Sequence, residues 1–222
     1  TRLIAWLENE KLARTAYLSL TRGGGGQNLI GTEKGEAMGI LRTQELLEAR
    51  KIDGAEQFFS GAVDFGYSKT ATETLEKWNK EEVLGDVVWT IRKFQPDIII
   101  TRFPPDERAG HGHHTASSML AEEGFKLAAD PEAYPEQLEH VSVWQAKRIL
   151  WDVYWWNQKL REEAIASGGI VEVNIGDYNE LLGLSYSEIA AMSRSQHKSQ
   201  GFGSSGTRGN RAEFLKHTDG DQ

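Results

Sequence analysis

Asp97-Ile98-Ile99-Ile100-Thr101 is the stretch on which the fold turns. Three consecutive β-branched residues, too few for a helix and bounded by polar neighbours, predict a short buried strand. The loop that leaves it passes through Pro104-Pro105 and ends in His111, His113 and His114, three of the chain's six histidines within four positions. Imidazole is a frequent metal ligand and the usual proton carrier near neutral pH. A histidine cluster where a strand ends is therefore a candidate reaction centre.

Outward from this stretch the same alternation repeats. Thr15-Ala16-Tyr17-Leu18-Ser19-Leu20 precedes Thr21-Arg22-Gly23-Gly24-Gly25-Gly26-Gln27, and Glu56-Gln57-Phe58-Phe59 precedes a loop around Asp64. Arg148-Ile149-Leu150-Trp151-Asp152-Val153 precedes Tyr154-Trp155-Trp156-Asn157. Helices are predicted near Leu3 to Leu7, Glu33 to Arg50, Thr72 to Phe94 and His114 to Ala128. Strand, helix, strand repetition implies an α/β fold with a mainly parallel sheet and helices on both faces. Ligands of such sheets bind beyond the carboxyl ends of the strands, which is where the glycine run, the Asp64 loop, the histidine loop and the aromatic loop are expected to gather. Towards the end, Ser185-Tyr186-Ser187-Glu188 has capping-box spacing and predicts a helix from Glu188 through His197. Gly201 to Gly206 reads as a flexible segment.

The 222 residues suit a single domain, here taken as 1–222, and a hydrophobic fraction of 39% with seven Trp, eight Phe and six Tyr can fill a core. A net charge of -8 without any long Lys/Arg run argues against nucleic acid as a partner. With no cysteine, any metal must be held by His, Asp or Glu. No apolar stretch approaches the roughly twenty residues needed to span a membrane. There is no initiator Met or signal peptide, and the last residues lack a structural terminator, so truncation at both ends is expected. The compartment, cytoplasm or cell envelope, stays open, as does the oligomeric state.

Each candidate residue has an ordinary alternative. His111-x-x-His114 can place one ring on a metal and the other on a substrate, or belong to a solvated loop. His197 alone fits a helix surface or a satisfied core position, and His140 and His217 carry weaker cases. Gly23 to Gly26 could cradle a phosphate, but no Gly-Lys-Ser/Thr follows and a tight turn beside a substrate fits better. Arg42 could pair with Glu45 at i,i+3. Trp151 with Tyr154, Trp155 and Trp156 could form a sugar-stacking wall or fill a core. Asp64 is open between turn former and substrate hydrogen-bond acceptor.

Taken in order, Leu20-Thr21-Arg22-Gly23 with Gly26, Leu41-Arg42-x-x-Glu45-Leu46, Asp64, Pro96 to Ile100, His111-Gly112-His113-His114 and His197-x-Ser199-Gln200 resemble the LmbE/PIG-L-type zinc-dependent N-deacetylase family, over most of the chain. The resemblance implies a Rossmann-like fold and hydrolysis of an acetamido group on an N-acetylglucosamine-type sugar or glycoconjugate. It implies His114 as a Zn2+ ligand, His111 as the catalytic residue that polarises or protonates the reacting group, and Arg42 and Asp64 as substrate-binding positions. His113 receives no role. The family's A-H-P-D-D-E element, which supplies two more zinc ligands and an aspartate base, is absent, so these groups are expected upstream of Thr1. A further departure is Ala109, two residues before His111, where some members carry an aromatic residue.

The implied reaction is attack of a metal-activated water on the acetyl carbonyl. One ligand cannot close a three-ligand site, so the 222 residues alone are expected to bind zinc poorly and to be inactive. The competing classes are a non-catalytic carbohydrate-binding module of the same fold and a phosphate or nucleotide binder using Gly23 to Gly26.

Overall fold

The computed structural model describes residues 1–153, 158–201 and 203–221. In chain order its elements are α1 (Arg2–Asn9), β1 (Ala16–Ser19), α2 (Gly35–Asp53), β2 (Glu56–Phe59), α3 (Ala71–Trp78), α4 (Lys80–Phe94), β3 (Ile98–Thr101) and α5 (Gly112–Leu127). There follow β4 (Arg148–Asp152), α6 (Gln158–Ala166), β5 (Ile170–Asn174), β6 (Tyr178–Asn179), β7 (Leu184–Ser185), α7 (Tyr186–Arg194) and β8 (Ala212–Gly220). The chain packs as two compact units, residues 1–66 with 173–213 and residues 67–172 with 214–222. The fold is α/β, and its strand-helix-strand units pair in parallel.

In the first unit β1 and β2 run parallel, from Ala16 opposite Glu56 to Ser19 opposite Phe59. Parallel neighbours need a long crossover, which α2 supplies. The helix stops at Gly54, whose φ of 91° is open to glycine at little strain. Ala5, Tyr186 and Ile189 form a core with Trp6, Ile52 and Leu184 packed against it. The predicted capping box is present: Ser185 Oγ accepts from Glu188 N at 3.2 Å while Glu188 Oε2 accepts from Ser185 N at 2.8 Å. At the far end of α2 the fully buried Asp53 accepts from Arg50 Nη2 at 2.5 Å and from Ser193 Oγ at 2.8 Å, tying α2 to α7.

In the second unit β3 pairs in parallel with β4, from Ile98 opposite Arg148 to Thr101 opposite Trp151, and β8 lies antiparallel on the other side of β4. The strand order is β3-β4-β8-β5. Flanked on both sides, β4 buries every residue from Ile149 to Asp152. β3 stands at one end of this order and Ile98 stays 47% exposed, so the three isoleucines form a less buried strand than expected. A second core joins Phe125, Ala146 and Ile149, with Ile99, Ala121 and Trp144 packed against it.

Arg92 holds this unit together from within. Its guanidinium, almost wholly buried, donates to the carbonyls of Ala128, Tyr134, Leu127, Asp130 and Ala133 and to Gln137 Oε1, at 2.7–3.4 Å. Burial pushes its pKa below the usual arginine value. Beside it burial, reinforced by Glu81 and Glu123, pushes the Tyr134 hydroxyl up to about 12.

The structure departs from the sequence reading at several places. The helix expected from Thr72 to Phe94 is two helices, broken at Asn79, whose φ of 55° is a left-handed conformation that asparagine tolerates. The helix expected to reach His197 ends at Arg194, and His197 instead precedes a 3-10 turn at Lys198–Gln200. Five further elements, α6, β5, β6, β7 and β8, carried no period strong enough to announce them. Tyr154, Trp155, Trp156 and Asn157 lie outside the described residues. Trp151 itself is buried in β4, which fits the core-filling alternative. Among the described residues no helix is long and apolar enough to cross a membrane.

Arg92→Met is expected to lower unfolding stability by about 3 kcal/mol, because several buried carbonyls lose their donors. Urea titration followed by circular dichroism measures it. Arg92→Lys should recover less than half of the loss, since an ammonium cannot reproduce five donors in a planar fork.

Candidate active site

The histidine loop begins with a backbone constraint. Gly112 N donates to Ser68 O at 2.8 Å, and a Cβ on Gly112 would lie 2.3 Å from both Ser68 Oγ and Thr70 O. Only glycine fits, and α5 must start there. His111 takes the N-cap position that Ser, Thr, Asp or Asn usually fill, its Nδ1 accepting from His113 N at 3.1 Å. Ser68 N also faces His111 Nε2, at 3.4 Å. Tyr67 meets His111 edge-on, with ring centroids 5.0 Å apart.

One helical turn on, His114 is held differently. Its Nδ1 lies 3.2 Å from Ala109 O, a contact that requires Nδ1 to donate and leaves the lone pair on Nε2. Phe103 stacks on the ring at 3.7 Å with planes 5° apart. Burial, with a smaller push from His111 and against the pull of the Ala109 carbonyl, lowers its pKa from the ordinary imidazole value. His114 is thus a neutral, oriented imidazole, the form in which histidine binds metals. The His111 and His114 ring centroids are 5.1 Å apart. His113 packs against Trp78 and meets His111 edge-on, with ring centroids 4.8 Å apart in both cases.

In the first unit the side chains of α2 organise the glycine loop. Arg42 does not pair with Glu45: its Nη1 donates to Gly23 O at 2.9 Å and its Nη2 to Gln27 O at 2.8 Å. A Cβ on Gly26 would lie 2.2 Å from Arg42 Nη1, so a side chain there would displace the guanidinium. The buried carboxylate of Glu45 accepts from Ser199 N at 2.6 Å and Ser199 Oγ at 2.7 Å. Asp64 Oδ1 accepts from Gly66 N at 2.9 Å, the geometry of a turn former. The roles of Glu45 and Ser199 had no assignment from sequence, although both lie within quoted motifs. Nothing in their spacing shows that residues 154 positions apart meet.

A hydrolytic zinc takes three protein ligands. Among the described residues no three His, Asp or Glu side chains come together in a group able to hold a metal ion. These residues therefore do not fit a complete zinc centre.

His197 is half-buried in the first unit, and burial lowers its pKa, the charge of Glu45 opposing while Arg50, Arg42 and Arg194 add to the shift. The unfolded chain takes up a proton near pH 6.5 that the folded ring refuses. Stability is then full above about pH 6.5 and falls as the pH drops towards the lower folded-state value. Denaturant titrations from pH 7.5 to 5.5 should show this loss, and His197→Gln should reduce it.

Three comparisons bear on these residues. The family model described as PIG-L, GlcNAc-PI de-N-acetylase, matches residues 2–124. The chain is 30% identical over 125 residues to a mycothiol S-conjugate amidase of Streptomyces coelicolor, covering 50% of this chain and 40% of that protein. It therefore spans about two fifths of the length of this curated relative. Among solved structures it is similar to the N,N'-diacetylchitobiose deacetylase of Pyrococcus horikoshii, with TM-score 0.54, 17% identity, and 95% of this chain and 76% of that one covered. It is also similar to the 4-carboxy-2-hydroxymuconate hydratase of Pseudomonas putida, with TM-score 0.58, 17% identity, and 100% and 90% covered. At those identities the structural likeness speaks for the fold alone. The family match spans more than half of the sequence and contains the whole histidine loop, and by it this chain belongs to the PIG-L family of de-N-acetylases.

Proposed function

We propose that this chain belongs to a metal-dependent amidohydrolase that removes the acetyl group from an N-acetylglucosamine-type sugar or glycoconjugate. The observation that carries the reading is the pair of imidazoles on one helical turn, ring centroids 5.1 Å apart, in which the Ala109 carbonyl holds Nδ1 of His114 and leaves its Nε2 with the lone pair. The role proposed for His111 is to polarise or protonate the reacting group, and that for His114 is to bind a metal. Zinc is the metal we propose, with His114 as one ligand. The other ligands and the aspartate base are those of the A-H-P-D-D-E element that the family resemblance implies.

In amide hydrolysis the oxygen of water bonds to the acetyl carbon, the C–N bond breaks, and the amine leaves carrying a proton. Charge develops first on the carbonyl oxygen and then on the departing nitrogen. A donor held at fixed geometry stabilises the first or protonates the second, and His111 has its ring fixed by the His113 and Tyr67 contacts. His114 stays neutral and keeps its ring plane against Phe103. Arg42 and Asp64 are proposed to help bind the substrate, Arg42 through the glycine loop whose carbonyls it holds.

The hydratase shares the fold, and it adds water to a different kind of bond. The fold therefore leaves the choice of reaction to the site, and the family model and the amidase relative both favour a C–N bond.

The test is amine release from N-acetylglucosamine derivatives by the full-length protein, before and after chelation and zinc return. Activity should be lost with chelator and restored by zinc. His114→Ala should remove bound zinc, whereas His111→Ala should keep it and lose roughly 10²–10⁴ in kcat. Chelator-insensitive turnover, or full zinc content in His114→Ala, would overturn the reading. The 222 residues alone should take up far less than one zinc per chain and release no acetate, as atomic absorption and an acetate assay would record.

A further inference from the structure

Thr70-Ala71-Thr72-Glu73 has capping-box spacing at the start of α3, and one half of the box forms: Thr70 Oγ1 accepts from Glu73 N at 3.2 Å. The other half is displaced. Glu73 reaches back past the N-cap, its Oε2 accepting from Lys69 N at 3.3 Å and from Ser68 Oγ at 3.2 Å. Lys77 Nζ, 2.9 Å from Oε1, and then the Lys69 N–H and the Ser68 hydroxyl hold this carboxyl below the ordinary glutamate value. Behind Ser68 stands Thr74, whose Oγ1 donates to Ser68 Oγ at 2.8 Å, and both side chains are wholly buried.

Burial denies these two hydroxyls to any substrate. What they touch is the histidine loop. A Cβ on Gly112 would meet Ser68 Oγ, Thr70 O and Thr74 Oγ1 at 2.3, 2.3 and 2.7 Å, so the network itself fills the space beside the first turn of α5. The backbone of Ser68 faces the same loop, its carbonyl accepting from Gly112 N at 2.8 Å and its N–H lying 3.4 Å from His111 Nε2. At the other ring nitrogen His113 N lies 3.1 Å from Nδ1.

His111 is thus bracketed by two backbone N–H groups, of which the single lone pair of a neutral imidazole can satisfy one. Hydrogen bonds weaken steeply with poor geometry, so the state and placement of the ring depend on where Ser68 is held. We propose that Ser68 is a positioning residue for His111, and that Thr74 and Glu73 act through it by fixing its backbone against the ring. The consequence for turnover rests on the deacetylase reading, whereas the placement of the ring does not.

The experiment follows the His111 imidazole 15N resonances and the amide exchange of the 15N-labelled chain in a set of variants. Ser68→Ala and Thr74→Val, the second of which keeps the side-chain shape and removes the hydroxyl, should move the ring resonances and speed exchange at the Gly112 N–H. Glu73→Gln should do the same to a smaller extent, and Thr74→Ser should restore both signals. Thr90→Val is the control, because Thr90 is also buried but donates to Asp86 O within α4, and it should leave both signals in place. In the full-length protein Ser68→Ala and Thr74→Val should lower kcat for amide hydrolysis about tenfold with KM unchanged. Unmoved ring resonances in both Ser68→Ala and Thr74→Val, equal movement in Thr90→Val, or full kcat in variants whose ring has moved would overturn the proposal. A displaced ring in a full-length protein that hydrolyses no amide would support the positioning of His111 and count against the deacetylase reading alone.

Discussion

The missing Cβ of Gly112 is the constraint on which the histidine site depends. Loop atoms of Ser68 and Thr70 occupy the place a side chain would need, and the Gly112 N–H closes the contact onto Ser68 O. The first turn of α5 is thereby docked on the segment that leads into α3. His111 then falls at the N-cap, where its Nδ1 can accept, and His114 falls three residues later on the same side of the helix. One close backbone approach sets the positions of both rings. Their surroundings differ: two backbone N–H groups face the ring of His111 and a backbone carbonyl faces that of His114.

Much of this architecture was legible in the sequence. The first four strands lie where apolar runs of four to six residues predicted them, and the α7 cap forms both hydrogen bonds that Ser185 and Glu188 announced. Local patterns of this kind report on local structure, because helix period and capping chemistry act over a few residues. The break at Asn79 was hidden because the apolar pattern continues across it and a single left-handed residue leaves little trace. β8 was hidden because Lys216, His217 and Asp219 interrupt any alternation, while its burial comes from Phe214 and Leu215 near its start.

The site was legible in part, for a related reason. The histidines stood out by residue type, and the family resemblance supplied roles for them. Arg42 was noticed, but its nearest charged neighbour on the helix suggested a local pair that does not form. Its partners are carbonyl oxygens of the glycine loop, and those of Glu45 come from a turn near the other end of the chain. Contacts across 15 to 154 positions depend on how the chain returns, which no local pattern encodes.

The Arg92 hub bears on the order in which the second unit assembles. Every acceptor it holds lies 35 to 45 residues further along the chain. Closing loops of that length costs chain entropy before any of the hydrogen bonds can repay it. The guanidinium must therefore wait, still hydrated, until the segment around 127–137 arrives, and then lose its water in a single docking event. Such a centre does little to start folding. Interactions completed that late act mainly on the unfolding rate, so the Arg92 hub is placed to slow the opening of the second unit.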